Sequence, residues 1–407
     1  MRQWIVRAVL ASSVLPVAVG AQTLSLTEAQ ALAQLGPDNP RVRAINAPIE
    51  IARADVLAAG RWPNPRITYG RESVAGVTEH LAMVGQVLPV AGRRPLEINA
   101  ASALVDAASG RATDRLRRLR VDLRLAFADL IAAQLREREL TTVRDRLQEL
   151  AGVLAKREAA GDAAGFDRLR AEREVLEVDI DRAGASAERA RAQALLSGFL
   201  MPAPPSNGIT AVAGTAARAN VPSVDELMNR AETARGEIAA LRREIDAAAF
   251  AERAAGRRAI PEPEIVAGSK ASDAGGGDVG SVVTVHVAIP LFDRGNPERV
   301  LARARRAQAQ TQLDALRAAL RSQIGSWRDL VIQRRESADR YRATAVNDAA
   351  LLERIAQVSY DAGERGILEL LDAYRSGAAA RLRQAALDLA VREAELELEF
   401  VSGWEIP

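Results

Sequence analysis

Apolar residues at helical spacing alternate along this chain with short runs in which apolar and polar residues take turns, and the whole succession occurs twice. Leu313, Leu316, Leu320, Ile324, Trp327 and Val331 recur three and four apart, the spacing of one helix face. They lie in a predicted helix from 297 to 362, with a counterpart from 95 to 159. Some 65 residues at 1.5 Å each make a rod of about 100 Å, too long for one compact domain. Each rod meets a Gly-bearing turn, Gly161 to Gly165 or Gly363 to Gly366, and a second helix, giving long helical hairpins over 95–198 and 297–402. Ahead of each hairpin stand two alternating runs that predict strand pairs at 66–89 and 264–290. Val283, Val285, Val287 and Ile289 share one face there, against Thr284, His286 and Ala288 on the other; Leu81, Met83 and Val87 oppose His80 and Gln86. A further helix opens each half, 39–60 and 223–258, ended by Gly and then Pro. Pro48 is expected to kink the first of these, because its ring clashes with the preceding turn.

The two halves match residue by residue. Ala59-Gly60-Arg61 recurs as Ala255-Gly256-Arg257, Pro63-Asn64-Pro65 as Pro261-Glu262-Pro263, and Leu88-Pro89-Val90 as Ile289-Pro290-Leu291. Leu119, Leu123 and Leu130 answer to Leu320, Ile324 and Val331; Gly161 and Leu169 answer to Gly363 and Leu371. An offset that drifts only from 196 to 202 marks a domain-sized duplication. The chain divides into four segments: a secretory signal at 1–21, a first repeat at 22–200, a Pro/Ala/Ser/Gly-rich linker at 201–222, and a second repeat at 223–407.

Composition narrows the class. Only 14 of 407 residues are aromatic, so the core must be built on Ala, Leu and Val, as long helices are. Beyond the N-terminus no apolar run approaches the length that a membrane-spanning helix needs, which excludes a polytopic helical membrane protein. Arg2 and Arg7, an apolar stretch from Val9 to Val19, and Val19-Gly20-Ala21 before Gln22 have the form of a cleaved export signal. Without Arg2 and Arg7 the basic and acidic residues are equal in number, which argues against a nucleic-acid partner. Arginines alternate with acids at i,i+4, as in Arg168 and Glu172, Glu336 and Arg340, or Asp388 and Arg392, and this predicts solvated helix faces. The absence of Cys removes thiolate metal sites, cysteine nucleophiles and an acylated N-terminal Cys, so no lipid anchor is expected. The Gly275–Gly280 stretch satisfies G-x-G-x-x-G but lies between two strands, where it predicts a flexible loop, not a dinucleotide site. No catalytic constellation is visible, and the chain calls for no enzyme activity and no cofactor.

Runs of 9 to 11 alternating residues have the length and pattern of tilted membrane-spanning strands. Any single run taken alone fits a half-buried soluble sheet better. A strand pair in each half, behind an export signal, favours the membrane. Four strands do not close a barrel, and an open edge in lipid leaves backbone groups unpaired, so several chains would have to share one barrel. This reading puts His80 and His286 on the lumen side as candidate metal contacts, with solvated or hydrogen-bonded histidines as the plainer alternative, and makes Trp62, Tyr69 and Phe292 candidates for an interfacial aromatic belt.

Several motifs carry a resemblance. Trp62-Pro63-Asn64-Pro65 enters the first strand, Gln86-Val87-Leu88-Pro89 leaves the second, Ile289-Pro290-Leu291-Phe292-Asp293-Arg294-Gly295 leaves the fourth, and the second turn lies in the run Tyr360 to Tyr374. With the repeated layout, these make nearly the whole mature chain resemble the TolC-like outer-membrane efflux channels, and the last run most resembles the branch that serves heavy-metal (cobalt-zinc-cadmium type) resistance-nodulation-division pumps. The resemblance implies a mainly α fold with a small β part: a duplicated long-helix tunnel, plus four strands per chain in a shared twelve-stranded transmembrane barrel. It implies a homotrimer in the outer membrane of a Gram-negative bacterium, with a periplasmic extension, a periplasmic adaptor and an inner-membrane pump as partners. Its closing contacts fall on Tyr360, Arg365 and Asp167, its acidic constriction on Glu369 and Asp372, and its adaptor-docking tips on Gly161, Gly165, Gly363 and Gly366. Drug efflux and type I secretion are alternative duties for such a channel, and a periplasmic coiled-coil adaptor or scaffold is the alternative architecture.

Overall fold

The computed structural model describes residues 24–161, 165–202, 208–214 and 219–405. The predicted signal at 1–21, parts of the predicted linker, and 162–164 in the first turn lie outside the described residues. A short strand β1 (Leu24–Thr27) runs into α1 (Glu28–Ala33) through a reciprocal cap between Thr27 and Gln30. Asn39 caps α2 (Pro40–Ala59), in which Pro48 sits inside an unbroken helical span. Next come strands β2 (Arg66–Val74) and β3 (Val77–Val87), then α3 (Arg93–Ala159) and α4 (Gly165–Ser197). The second half runs β4 (Ile209–Val212), α5 (Val224–Ala234), α6 (Gly236–Gly256), β5 (Pro263–Ser272), β6 (Asp278–Val287), α7 (Asn296–Tyr341), α8 (Asn347–Asp361) and α9 (Ile367–Ser402).

At 67 residues α3 is a rod of about 100 Å, as the sequence predicts. Its counterpart differs. Between α7 and α8 the helix passes through a π turn, Arg342–Val346. The predicted 223–258 helix is likewise divided, because Arg235 is extended (φ −81°, ψ 110°) and α6 starts afresh at Gly236. The acceptor for that new start comes from α3: Asp114 takes hydrogen bonds from the N–H of Gly236 at 2.7 Å and of Glu237 at 3.1 Å, and from Arg235 Nε at 3.0 Å. Helices α3 and α6 also approach closely there, for a Cβ on Gly236 would overlap the Gly110 carbonyl.

The predicted linker holds structure as well. Within it β4 pairs in parallel with β1, a contact the sequence does not announce. Three apolar clusters are spread along the length of the molecule. One gathers Leu227, Ile238 and Leu241 against Leu320, Ile324 and Leu398. A second joins β1 and β4 to Leu123, Phe127, Leu130 and Leu196. The third joins Leu147, Leu150 and Leu154 of the first hairpin to Ile367, Leu370 and Leu371 of the second. Charges on these helices link elements more than they decorate solvated faces. Arg168 and Glu172 do pair at 2.8 Å. Asp388, however, turns to Arg342 at 2.5 Å and Arg392 to Glu28 at 3.0 Å, because long side chains reach a neighbouring helix as easily as the next turn.

Candidate functional site

At the far end from the sheet, both hairpins turn on a glycine that comes just after the helix in left-handed conformation, Gly161 at φ 84° and Gly363 at φ 73°. In the second turn the Gly363 N–H donates to the Tyr360 carbonyl at 3.0 Å and the Glu364 N–H to that of Ser359 at 2.9 Å. That double closure satisfies the last carbonyls of the helix and needs a residue free of Cβ strain. The next helix begins at once. Along α9, Ile367, Leu370, Leu371 and Tyr374 turn inward onto the first hairpin, which leaves Leu368, Glu369 and Asp372 on the exposed side. Gly165 opens α4 beside Glu158, whose carboxylate pairs with Arg168 at 2.6 Å, and Gly366 precedes α9 with Glu369 Oε2 near its open face.

The predicted site residues gather at this end, but not all of them touch. Tyr360 is half-buried, and the Arg157 guanidinium of α3 lies 5.7 Å from its ring centre. Arg365, Glu369 and Asp372 are exposed and Asp167 is half-buried; among the described residues none of the four makes an ion pair. The hairpins of this chain are held together by other groups. Arg375 of α9 pairs with the buried Glu174 of α4. Higher up, Glu353 of α8 accepts from Arg146 of α3 at 3.1 Å and from Arg381 of α9 at 2.8 Å, while Arg381 also donates to Glu139 of α3 at 2.7 Å. The Tyr374 hydroxyl donates to Gln357, and burial pushes its pKa up, keeping it a donor. Sequence reading missed these residues; the available signal was Gly377 inside a helical run, a mark of close approach.

At the opposite end, β2, β3, β5 and β6 form one antiparallel sheet in chain order, with β2 and β6 as open edges. The ladder fixes the faces. Ile67 and Tyr69 share one with Val84, Ile265, Val279, Val283, Val285 and Val287, all large apolar side chains in the open. The other carries Arg66, Glu72, Glu79, Glu264, Lys270, Asp278 and His286, including a Lys270 to Glu79 pair at 2.6 Å and an Arg66 to Glu264 pair at 3.8 Å. His286 is therefore on the polar face, 3.9 Å from Glu264. His80 is not: Arg71 and Ala271 are its partners in register, and it shares a 2.9 Å hydrogen bond with Tyr69 on the apolar face. The two histidines are on opposite sides, which corrects the shared placement expected from alternation. Phe292, just past β6, is almost wholly exposed and Trp62 is largely so. Among the described residues no group of three metal-ligating side chains occurs, and no helix is long and apolar enough to cross a membrane.

The fold of this chain is found in solved structures. The chain superposes on CusC with a TM-score of 0.74 at 15% identity, covering 94% of this chain and 93% of that one. It superposes on the outer membrane protein VceC of Vibrio cholerae at 0.73 and 15% identity, over 93% and 97% of the two chains, and on the outer-membrane channel OprN at 0.71 and 19%, over 92% and 89%. The fold is that of the TolC-like outer-membrane channels. In sequence the chain is 23% identical over 359 residues to the cobalt-zinc-cadmium resistance protein CzcC of Cupriavidus metallidurans, covering 88% of this chain and 85% of that protein. No family model matches.

Proposed function

We propose that this protein is the outer-membrane duct of a tripartite efflux system, a passive exit for cargo delivered by an inner-membrane pump through a periplasmic adaptor. The observation that carries the reading is the sheet: four strands with both edges unpaired and one face of exposed Ile, Tyr and Val. Unpaired edges in hydrocarbon are costly enough that copies must complete one another. Three copies would close twelve strands, the homotrimer of this proposal. The helices ask for the same completion. Leu169, Leu176 and Ile180 on α4 and Leu351, Leu352, Ile355 and Val358 on α8 stay exposed in one chain, while α3 and α9 cover each other. A neighbouring copy that sets α8 on α4 would repeat the α3–α9 contact.

Heavy-metal cations are the cargo we infer, supported by the likeness to the cobalt-zinc-cadmium resistance protein and by the acidic excess on the polar sheet face. At the tips, Arg365 and Asp167, which make no ion pair among the described residues, could meet across copies, with Tyr360 beside them. Glu369 and Asp372 would ring the opening, where carboxylates concentrate cations. The Gly161, Gly165, Gly363 and Gly366 turns are the proposed adaptor contacts. Planar-bilayer recording tests the reading. Arg365→Ser with Tyr360→Phe is expected to raise conductance, and Glu369→Ala with Asp372→Ala to relieve block by divalent cations. Wild-type protein that forms no pores, or variants that leave both properties unchanged, would refute it.

A further inference from the structure

We propose that Arg71 and His80, at the hairpin end of the apolar sheet face, form a site for the phosphate of a phosphorylated glycolipid in the outer leaflet. The site rests on the duct reading for one point, that this face meets lipid. Register brings the two residues together. Arg71 of β2 stands directly opposite His80 of β3, close enough for both side chains to reach one group. They are the only basic strand residues on this face, and its strand residues include no Asp or Glu; Glu72, Glu79, Glu264 and Asp278 all lie on the other. On that polar face Arg66 and Lys270 have carboxylate partners at 3.8 and 2.6 Å. Arg71 is exposed and makes no ion pair or side-chain hydrogen bond among the described residues.

A guanidinium facing lipid without a counter-charge is costly at mid-bilayer and tolerated near the boundary. The depth of Arg71 matches that boundary. Its row, which runs through His80 and Ala271 to Val279, lies eight residues from Val287 along β6. That is about 27 Å of strand, or about 20 Å of depth at a tilt of about 40°. Exposed Ile67, Val84, Ile265, Val283 and Val285 fill the interval. Tyr69, Ser269 and Ser281 make the next row, and the basic pair closes the face. Helices α3 and α7 leave the sheet at the Val287 end. With those helices in the periplasm, the basic row meets the outer leaflet, whose glycolipid carries phosphate on its sugar headgroup just above the acyl chains.

The side chains suit that anion. Arginine offers a planar fork of donors that matches phosphate oxygens. The Tyr69 hydroxyl lies 2.9 Å from His80 Nδ1, and its ring is stacked beside the imidazole with centroids 6.2 Å apart. When that hydroxyl donates to Nδ1, a neutral imidazole carries its proton on Nε2 and presents a donor without needing a charge. Tyr69 is thus a positioning residue, with its ring on the apolar face and its hydroxyl setting the tautomer of His80.

Native mass spectrometry of the full detergent-solubilised protein tests the site, with diphosphoryl lipid A, the same lipid stripped of both phosphates, and inorganic phosphate as the three probes. Wild-type protein is expected to bind the diphosphoryl lipid at least tenfold more tightly than the dephosphorylated one. Arg71→Gln with His80→Gln should abolish that preference and leave affinity for the dephosphorylated lipid unchanged. Tyr69→Phe, which keeps the ring and releases the tautomer, should lower the preference two- to fivefold. A preference that survives the double substitution, or none in wild-type protein, overturns the proposal; so does inorganic phosphate that binds as tightly as the lipid, which would leave a simple anion site. Cell fractionation is a separate arm. Wild-type protein absent from the outer membrane sinks the duct reading, whereas protein that reaches it and shows no phosphate preference sinks the site alone.

Discussion

Replacing Asp114 by Ala tests how the two halves of the chain are joined. Asp114 is 7% exposed and Arg235 9%. The substitution removes the acceptors of two helix N-terminal N–H groups and leaves the Arg235 guanidinium buried without its carboxylate. Losing one member of a buried ion pair costs about 3–5 kcal/mol, and loss of an N-cap acceptor typically about 1 kcal/mol, already part of that figure here. The Phe400 ring, 4.8 Å from the guanidinium carbon, offsets little of this, because a cation over an aromatic face recovers about 0.5–2 kcal/mol and that contact exists in both proteins. A net loss of about 3 kcal/mol corresponds to somewhat more than a hundredfold in an opening equilibrium. The loss is confined to the α5–α6 junction, so native-state hydrogen exchange of the α6 amides is the right readout, with α4 amides as the internal control. Arg235→Leu should cost less, since Asp114 would keep both backbone donors. If Asp114→Ala accelerates α6 exchange by less than about fivefold, roughly 1 kcal/mol, the cap is not what starts this helix. The Gly110–Gly236 contact would then be the better explanation.

Further perturbations probe other joints. Gln134 both donates to the Ala211 carbonyl at 2.9 Å and accepts from its N–H at 2.8 Å. Gln134→Ala should therefore free β4 at a cost of about 1–3 kcal/mol, read as faster protease cleavage near residue 212. Glu393 has its pKa raised, first by burial and then by the neighbouring charge of Asp129. A carboxylate whose folded pKa is raised gives stability that is complete below its unfolded value and fades as pH rises through the folded one. Glu393→Gln should accordingly raise the unfolding temperature at pH 7, with the gain vanishing near pH 4; an equal gain at both pH values would show that packing, not charge, is responsible. Glu232, held below its usual range by its hydrogen bond to Arg317, has the opposite sign. Glu232→Gln should cost stability at pH 7 and nothing once acid has neutralised the wild-type carboxylate.

The duplication, the strand pairs and the hairpins are legible in sequence because each rests on a local period, and periods survive without knowledge of neighbours. Features set by distant residues are not legible. The break at Arg235 falls inside an ordinary helical pattern, and its cause is a carboxylate more than a hundred residues earlier. The β1–β4 pair is four residues long and is held by glutamine side chains from α3 and α4. The face of His80 is ambiguous because β3 carries apolar residues on both sides, Leu81 and Met83 against Ala82 and Val84; only the pairing with β2 and β5 settles it. The π turn shows in the sequence only as a change of one in the repeat offset.

The repeat also shows why one chain is an unfinished object. Helix α6 lies between α3 and α7, whereas its counterpart α2 packs on α3 alone. The side of α2 that has no helix beside it carries Ile51 at 67% and Leu57 at 76% exposure, and α7 leaves Val300 and Leu301 open at 65% and 50%. If the two halves are equivalent, the helix missing from the side of α2 is the α7 of another copy, just as the strand missing from the edge of β2 is another copy's β6. In the proposed ring, sheet, first helices and hairpins would thus point the same way round one axis. Junctions within a chain and junctions between chains then alternate along the ring, and they differ in chemistry. The internal ones hold ion pairs with a buried carboxylate, Asp114 with Arg235 and Glu353 with Arg381, while the outer faces keep exposed aliphatic side chains. A ring of the proposed kind would have its strongest polar locks inside each protomer and its adjustable contacts between protomers.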